Sequence, residues 1–236
     1  MFFRKDYNGP GPGINPDEPE KTGPARLLQI LQLEVGSIFL LNLLFLVSCI
    51  PVVTIPPALF AMNQVIRKMM LDQPVLCFSD YRTAFRTYWK QAYAAFFLTA
   101  VPMAASGYGA YFYLMQAAAN PAMFALFLVC STIFLVAVLS SGYLYGALGA
   151  GMRLKAAVRL AVALGVGKPL RPIVAAILGY GLAAFGILEL PISLIFVLLL
   201  GFSMPCLLAN FFLRIPLRNY CPALRDPRDE DSESEI

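Results

Sequence analysis

Histidine is absent from this chain of 236 residues. The commonest general base and the commonest metal ligand are therefore missing. No Ser-His-Asp triad, Cys-His pair or histidine zinc site can be built from its own residues. Charge is scarce as well: Asp, Glu, Lys and Arg make up 14% of the chain, against about 25% in a soluble domain. The five cysteines, Cys49, Cys77, Cys130, Cys206 and Cys221, show no metal-ligand or redox-motif spacing. Three lie in apolar stretches, where Cys acts as a small hydrophobe, so no disulfide framework is expected. Gly165-Val166-Gly167 follows no strand and lacks a Gly-Lys-Ser/Thr sequence, which excludes a phosphate loop. These absences predict a protein that is not an enzyme and that uses no cofactor, no metal and no nucleic-acid partner.

What is present is apolar. Hydrophobic residues reach 59%. Residues 35–66 and 91–152 contain no Asp, Glu, Lys or Arg, and residues 172–213 contain only Glu189. A spanning helix needs about 20 apolar residues to cross roughly 30 Å of hydrocarbon. Each block exceeds what a buried soluble helix requires. The predicted class is all-α: a polytopic transmembrane helix bundle of three helical hairpins, with five or six membrane segments. The expected partner is the lipid bilayer. Residues 1–26 read as a Gly/Pro-rich N-terminal segment, 27–220 as one membrane helix-bundle domain, and 221–236 as an acidic disordered tail. The opening Met1-Phe2-Phe3-Arg4-Lys5 turns polar without an apolar core, so no cleaved signal peptide is expected.

Basic residues cluster between the blocks. Arg67, Lys68, Arg82, Arg86 and Lys90 separate the first two, and Arg153, Lys155, Arg159, Lys168 and Arg171 the last two. The breaks near 116–121 and 188–191 carry no Lys or Arg. The positive-inside rule then predicts cytoplasmic connectors and a cytoplasmic C-terminus. Block two divides into helices over 98–115 and 121–141. Block three divides into helices over 173–188 and 192–213. Block one holds Pro51, Pro56 and Pro57 within seven residues, which no ordinary helix continues through. It is either a hairpin with an outer turn there, returning over 58–70 with the N-terminus cytoplasmic, or a single span with the N-terminus outside. The hairpin is favoured because it leaves all 18 Lys and Arg inside.

The connectors have amphipathic patterns. Phe78, Tyr81, Phe85, Tyr88 and Trp89 recur at helical spacing, with Arg82, Arg86 and Lys90 off that stripe and Ser79 or Asp80 placed to cap. Over 152–163, Leu154, Ala157, Val158 and Ala161 face one way. Both are expected as cytoplasmic helices lying at the inner interface. One reading is that they only seal the bundle. The sharper one is a docking surface built from Arg82, Phe85, Arg86 and Trp89, since Trp and Arg dominate hot spots.

Polar groups in the blocks are neutral: Asn42, Thr54, Asn63, Gln64, Ser106, Ser131, Thr132 and Asn210. Such groups usually tie helices together, at about 0.6 kcal/mol per bond. Asn42, Thr54 and Asn63, with the hinge prolines Pro51, Pro56 and Pro57, form the candidate intramembrane site. Gly142, Gly146 and Gly149 make a close-approach stripe, intramolecular by default and a homodimer face only as a minority alternative.

Several stretches together resemble the YesL-like bacterial membrane proteins, a family built on domain of unknown function 624. They are Tyr7-Asn8-Gly9-Pro10-Gly11-Pro12-Gly13, Asn15-Pro16-Asp17-Glu18-Pro19, Asn42-Leu43-Leu44-Phe45, the run from Cys49 through Pro51, Pro56 and Pro57 to Ala58, and the aromatic-basic stretch 80–91. Members commonly carry Gly where this chain has Pro56. The resemblance implies a protein typical of Gram-positive bacteria that accompanies carbohydrate ABC transporters and glycan-degrading enzymes. The expected role is thus an accessory or regulatory component of the cytoplasmic membrane, beside an ABC-type sugar permease. The alternative is a small solute transporter or channel acting through the broken first hairpin.

Overall fold

The computed structural model describes residues 24–71, 73–117, 120–188 and 194–220. The Gly/Pro-rich stretch through residue 23, the Glu189-Leu190-Pro191 break and the acidic tail from Cys221 lie outside the described residues. Among the described residues every regular element is helical.

Helix α1 (Pro24–Leu33) meets α2 (Val35–Ser48) at a 78° bend. It starts inside the stretch assigned to the N-terminal segment, because Pro24 suits a first helical turn. The chain then turns through Pro51 and a 3-10 turn, Val52–Thr54, into α3 (Ile55–Met70). Pro56 and Pro57 sit in the first turn of α3, whose N–H groups have no intrahelical acceptor anyway. The proline cluster thus ends one helix and starts another, and block one is two packed helices rather than one.

A short loop leads to α4 (Cys77–Thr87), α5 (Trp89–Gln116) and α6 (Pro121–Gly149). The Asn120 side chain accepts a hydrogen bond from the Ala122 N–H at 2.9 Å, and Pro121 opens the helix. Both arms of the second hairpin run beyond the predicted boundaries, since α5 begins at Trp89 and α6 ends at Gly149. Next come α7 (Leu154–Gly167) and, after a 101° bend, α8 (Leu170–Ala176), a π-helical turn (Ile177–Gly181) and α9 (Leu182–Leu188). The last arm is not the single helix expected over 192–213. It is broken into α10 (Leu194–Leu199) and α11 (Ser203–Arg218). The break centres on Gly201, where a Cβ would lie 2.5 Å from the Val197 Cα.

Two buried clusters hold the bundle. One joins Ile38, Leu41 and Phe45 of α2 to Ala61, Val65 and Ile66 of α3, Tyr81 of α4 and Leu207 of α11. The other joins Phe60 to Ala92, Ala95, Tyr143, Ala147, Ala157, Ala161 and Leu213. Helices α3 and α11 contribute to both and form the centre. The glycine stripe of α6 is filled from within: a Cβ on Gly146 would lie 2.8 Å from Leu217 Cδ1, and one on Gly142 would collide with Leu213. That face is therefore unavailable for a homodimer.

The outer parts of α5 and α6 leave this core. From Pro121 to Val138 no residue is buried, and Leu126, Val129, Ile133 and Leu135 are exposed. A helix apolar on all faces belongs in a core or in lipid. Among the described residues α6 is the one helix long and apolar enough to cross a membrane by itself. The bent pairs α1–α2 and α7–α9 raise the number to three if each counts as one span. The expected five or six segments go beyond what these helix lengths support, because α3 and α11 have only 16 residues each.

Both connectors are helices packed against the bundle. Helix α7 packs along α6, and α4 packs along α2 and α3. The Cys77 thiol donates to the Ser37 carbonyl at 3.4 Å, near the start of α2. The Tyr93 hydroxyl donates to the Val53 carbonyl at 2.6 Å, in the proline turn. That contact sets the proline turn beside the first turns of α5. Lys90 precedes Tyr93 by about 4.5 Å of helix rise, and a tyrosine cannot reach across about 30 Å of hydrocarbon. The proline turn therefore lies near the Lys90 end of the basic connector.

Candidate functional site

Helix α4 shows two faces. Cys77, Tyr81 and Ala84 are buried, and Phe85 and Tyr88 pack half-buried against the first cluster. Burial pushes the Tyr81 phenol up to about 12. Asp80 fastens the helix: its Oδ1 lies 2.6 Å from Lys68 Nζ on α3, and its Oδ2 accepts from the Leu76 N–H at 3.0 Å. Leu76 therefore holds the N-cap position, and Asp80 reaches back from the first turn in the manner of a capping box. On the other face Arg82 and Arg86, one turn apart, stand exposed and flank a surface groove of about 420 Å³ with Phe78, Ser79 and Thr83. Trp89 begins α5 after a break at Tyr88. It is half exposed, edge-on to Tyr93, with Lys90 Nζ 5.6 Å from its ring. Of the four docking candidates, the structure brings Arg82 and Arg86 together and leaves Trp89 beside them. Phe85 is turned toward the bundle, because positions 77, 81, 84 and 85 form the inward stripe.

The candidate hinge residues have structural partners. Asn42 is fully buried. Its Nδ2 donates to the Val197 carbonyl at 2.9 Å and the Leu198 carbonyl at 2.7 Å. Its Oδ1 accepts the Phe202 N–H at 3.0 Å and the Ser203 N–H at 3.1 Å. Both donors and both acceptor sites of the amide are used. One side chain thus satisfies the free carbonyls ending α10 and the free N–H groups opening α11. Asn42 has no group left to offer a solute, which removes it from the transporter site expected at the first hairpin. The Thr54 hydroxyl donates to the carbonyls of Ser48 and Pro51 and closes the proline turn. Pro51 is exposed, while Pro56 and Pro57 are buried.

Asn63 lies elsewhere, in the wall of a cavity of about 650 Å³ between α3, α5, α6, α11 and the π-helical turn. Asn210 Nδ2 donates to Asn63 Oδ1 at 2.7 Å and to the Cys206 carbonyl at 2.8 Å. Asn63 Nδ2 donates to the Leu59 carbonyl at 2.8 Å. On the facing wall the Ser141 hydroxyl donates to the Val138 carbonyl at 2.7 Å, and the Tyr180 hydroxyl donates to Ser141 Oγ at 2.7 Å. The lining contains no Asp, Glu, Lys or Arg. Such a chamber can hold an apolar molecule. Sequence reasoning missed it, along with the π-helical turn and the break at Gly201. The one signal available was Asn42 itself, an amide in an apolar run that needs four partners.

Fold and site define a helical protein with an apolar hairpin able to enter a membrane and a cationic face beside it. Residues 38–108 match the family described as protein of unknown function, DUF624, the YesL-like family that the sequence resembles. The matched stretch contains Asn42, the proline turn, all of α4 and the first part of α5. No curated protein and no solved structure matches the chain.

Proposed function

We propose that this chain is a non-enzymatic, multi-pass protein of the bacterial cytoplasmic membrane that assists or regulates a carbohydrate ABC transporter by docking through α4. The observation that carries this reading is the exposed Arg82–Arg86 pair on α4, whose opposite face is locked to the bundle by Tyr81 and Asp80, with exposed Trp89 opening α5. A pair of guanidinium groups one turn apart on an anchored helix suits an acidic cytoplasmic surface of a permease. Affinity purification in mild detergent tests it. Arg86→Glu with Trp89→Ala is expected to lose a transporter subunit that the natural chain retains. Identical partners for both forms would count against docking there.

In this reading α5 and α6 cross the bilayer as a hairpin, and the proline turn and the connectors stay on the cytoplasmic side. Trp89 and Tyr93 then sit at the interface, where such rings are enriched. Single cysteines in a cysteine-free background test the sidedness. Gln73→Cys and Val52→Cys are expected to label only after permeabilisation, and Gln116→Cys from outside. Labelling of Val52→Cys from outside would restore the spanning first hairpin. A transporter or channel acting through that hairpin is the alternative, and proteoliposome uptake across a sugar panel decides it.

A further inference from the structure

We infer that the chamber between α3, α5, α6, α11 and the π-helical turn binds one neutral, single-chain lipid with a hydroxyl head, of the monoacylglycerol or long-chain alcohol type. Its volume of about 650 Å³ is in the range of about 300–1,000 Å³ that holds one small ligand. The lining is charge-free, so a carboxylate or phosphate head enters without a counter-ion, which is strongly unfavourable. The ligand is therefore neutral.

The head is assigned by one unfilled group. The Asn210 amide nitrogen is spent on Asn63 Oδ1 and the Cys206 carbonyl. Among the described residues no donor reaches Asn210 Oδ1, and that oxygen is not sealed in the core. Asn210 lines the chamber, and an O–H group bound there satisfies this acceptor. The π-helical turn shapes the opposite side. It sets Gly179 against α11, where a Cβ would lie 3.3 Å from Ala209, and turns Tyr180 onto Ser141. Such turns concentrate at functional sites. The lining includes exposed apolar side chains. Of its lining residues, Phe134 and Tyr180 are 38% and 51% exposed, and Phe134 lies on the lipid-capable stretch of α6. A chain can therefore enter sideways from lipid. This inference does not depend on docking through α4.

The full-length chain in detergent micelles provides the test. Trp89→Phe removes its one tryptophan, and Phe96→Trp places a reporter in the chamber wall. Brominated monoacylglycerol is expected to quench that fluorescence saturably, with recovery on adding unbrominated monoacylglycerol. A brominated fatty-acid anion and a brominated phosphatidylglycerol are expected to need at least about tenfold more. Asn210→Leu in this background is expected to weaken monoacylglycerol about tenfold, the size of one lost hydrogen bond. Ala183→Phe fills the chamber and is expected to abolish saturation. If that variant fails to fold, Asn210→Leu decides. Equal, non-saturating quenching by all three lipids would mean an ordinary lipid-facing wall and would overturn the site. Unchanged binding in Asn210→Leu would overturn the hydroxyl assignment.

Discussion

Replacing Asn42 by leucine tests the tie between the first block and the last. The side chain is fully buried and its four hydrogen bonds all go to the backbone around Gly201. Leucine fills similar space but makes none of them. Val197 keeps a partner in its carbonyl, which also accepts the Gly201 N–H at 3.3 Å. The Leu198 carbonyl and the Phe202 and Ser203 N–H groups are left with no described partner. If the unfolded chain stays in lipid and finds other partners, four bonds at about 0.6 kcal/mol give a loss near 2.4 kcal/mol. If the three orphaned groups each cost about 2 kcal/mol, the loss is near 6 kcal/mol. Reversible unfolding in mixed dodecylmaltoside and dodecyl sulfate, followed by circular dichroism, measures it. Thr132→Val is the control, since that hydroxyl is exposed and bonds only to Leu128, one turn away. The expected loss for Asn42→Leu is 2 to 6 kcal/mol, on the two limits above, and Asn42→Asp should fall between it and the natural chain. A loss within about 0.5 kcal/mol of the control would refute the idea that this amide holds the broken helix.

Two further outcomes follow from particular contacts. Gly201→Ala is expected to destabilise by more than about 2 kcal/mol, because the new methyl meets the Val197 backbone, which cannot rotate away. Gly149→Ala should cost less, since its methyl meets only the flexible side-chain amide of Gln64; equal losses in thermal unfolding would contradict this ranking. The Cys77 thiol is pushed up to about 11, by burial first and then by the Asp80 and Glu34 carboxylates. Both causes disfavour the thiolate, so near pH 8, below the ordinary thiol value of about 8.5, Cys77 should alkylate far more slowly than Gln73→Cys. Asp80→Asn removes one of the two carboxylates, leaves burial and Glu34 in place, and should speed it slightly. Equal rates for Cys77 and Gln73→Cys in the folded protein would show that the thiol is not buried as described.

Much of the helical framework was legible before any coordinates. Asn120-Pro121 ends one arm and starts the next because Asn caps and Pro tolerates a first turn, and both rules act within a few residues. The prolines at 51, 56 and 57 break block one for the same local reason. Of the aromatic stripe read from 78 to 89, Tyr81, Phe85 and Tyr88 pack against the bundle, while Phe78 and Trp89 stand exposed. Phe85 was expected on a docking face, and only its packing against the bundle shows that it faces inward. Arg82 and Arg86 were placed correctly off the stripe because helical periodicity fixes the direction of a side chain relative to its neighbours.

Sequence alone determined the helical class, the breaks at the proline cluster and at Pro121, that lipid is the medium suited to α6, and that the chain resembles the family matched over residues 38–108. These follow from composition and from rules that span a few residues. Tertiary structure decided what Asn42 does, since its partners lie 155 to 161 positions away. It also decided that the glycine stripe is filled by α11, that the proline turn lies beside Tyr93, and that seven helical elements line one chamber with charge-free positions. Each depends on which helices meet, and a pattern read along one helix carries no information about what another brings against it.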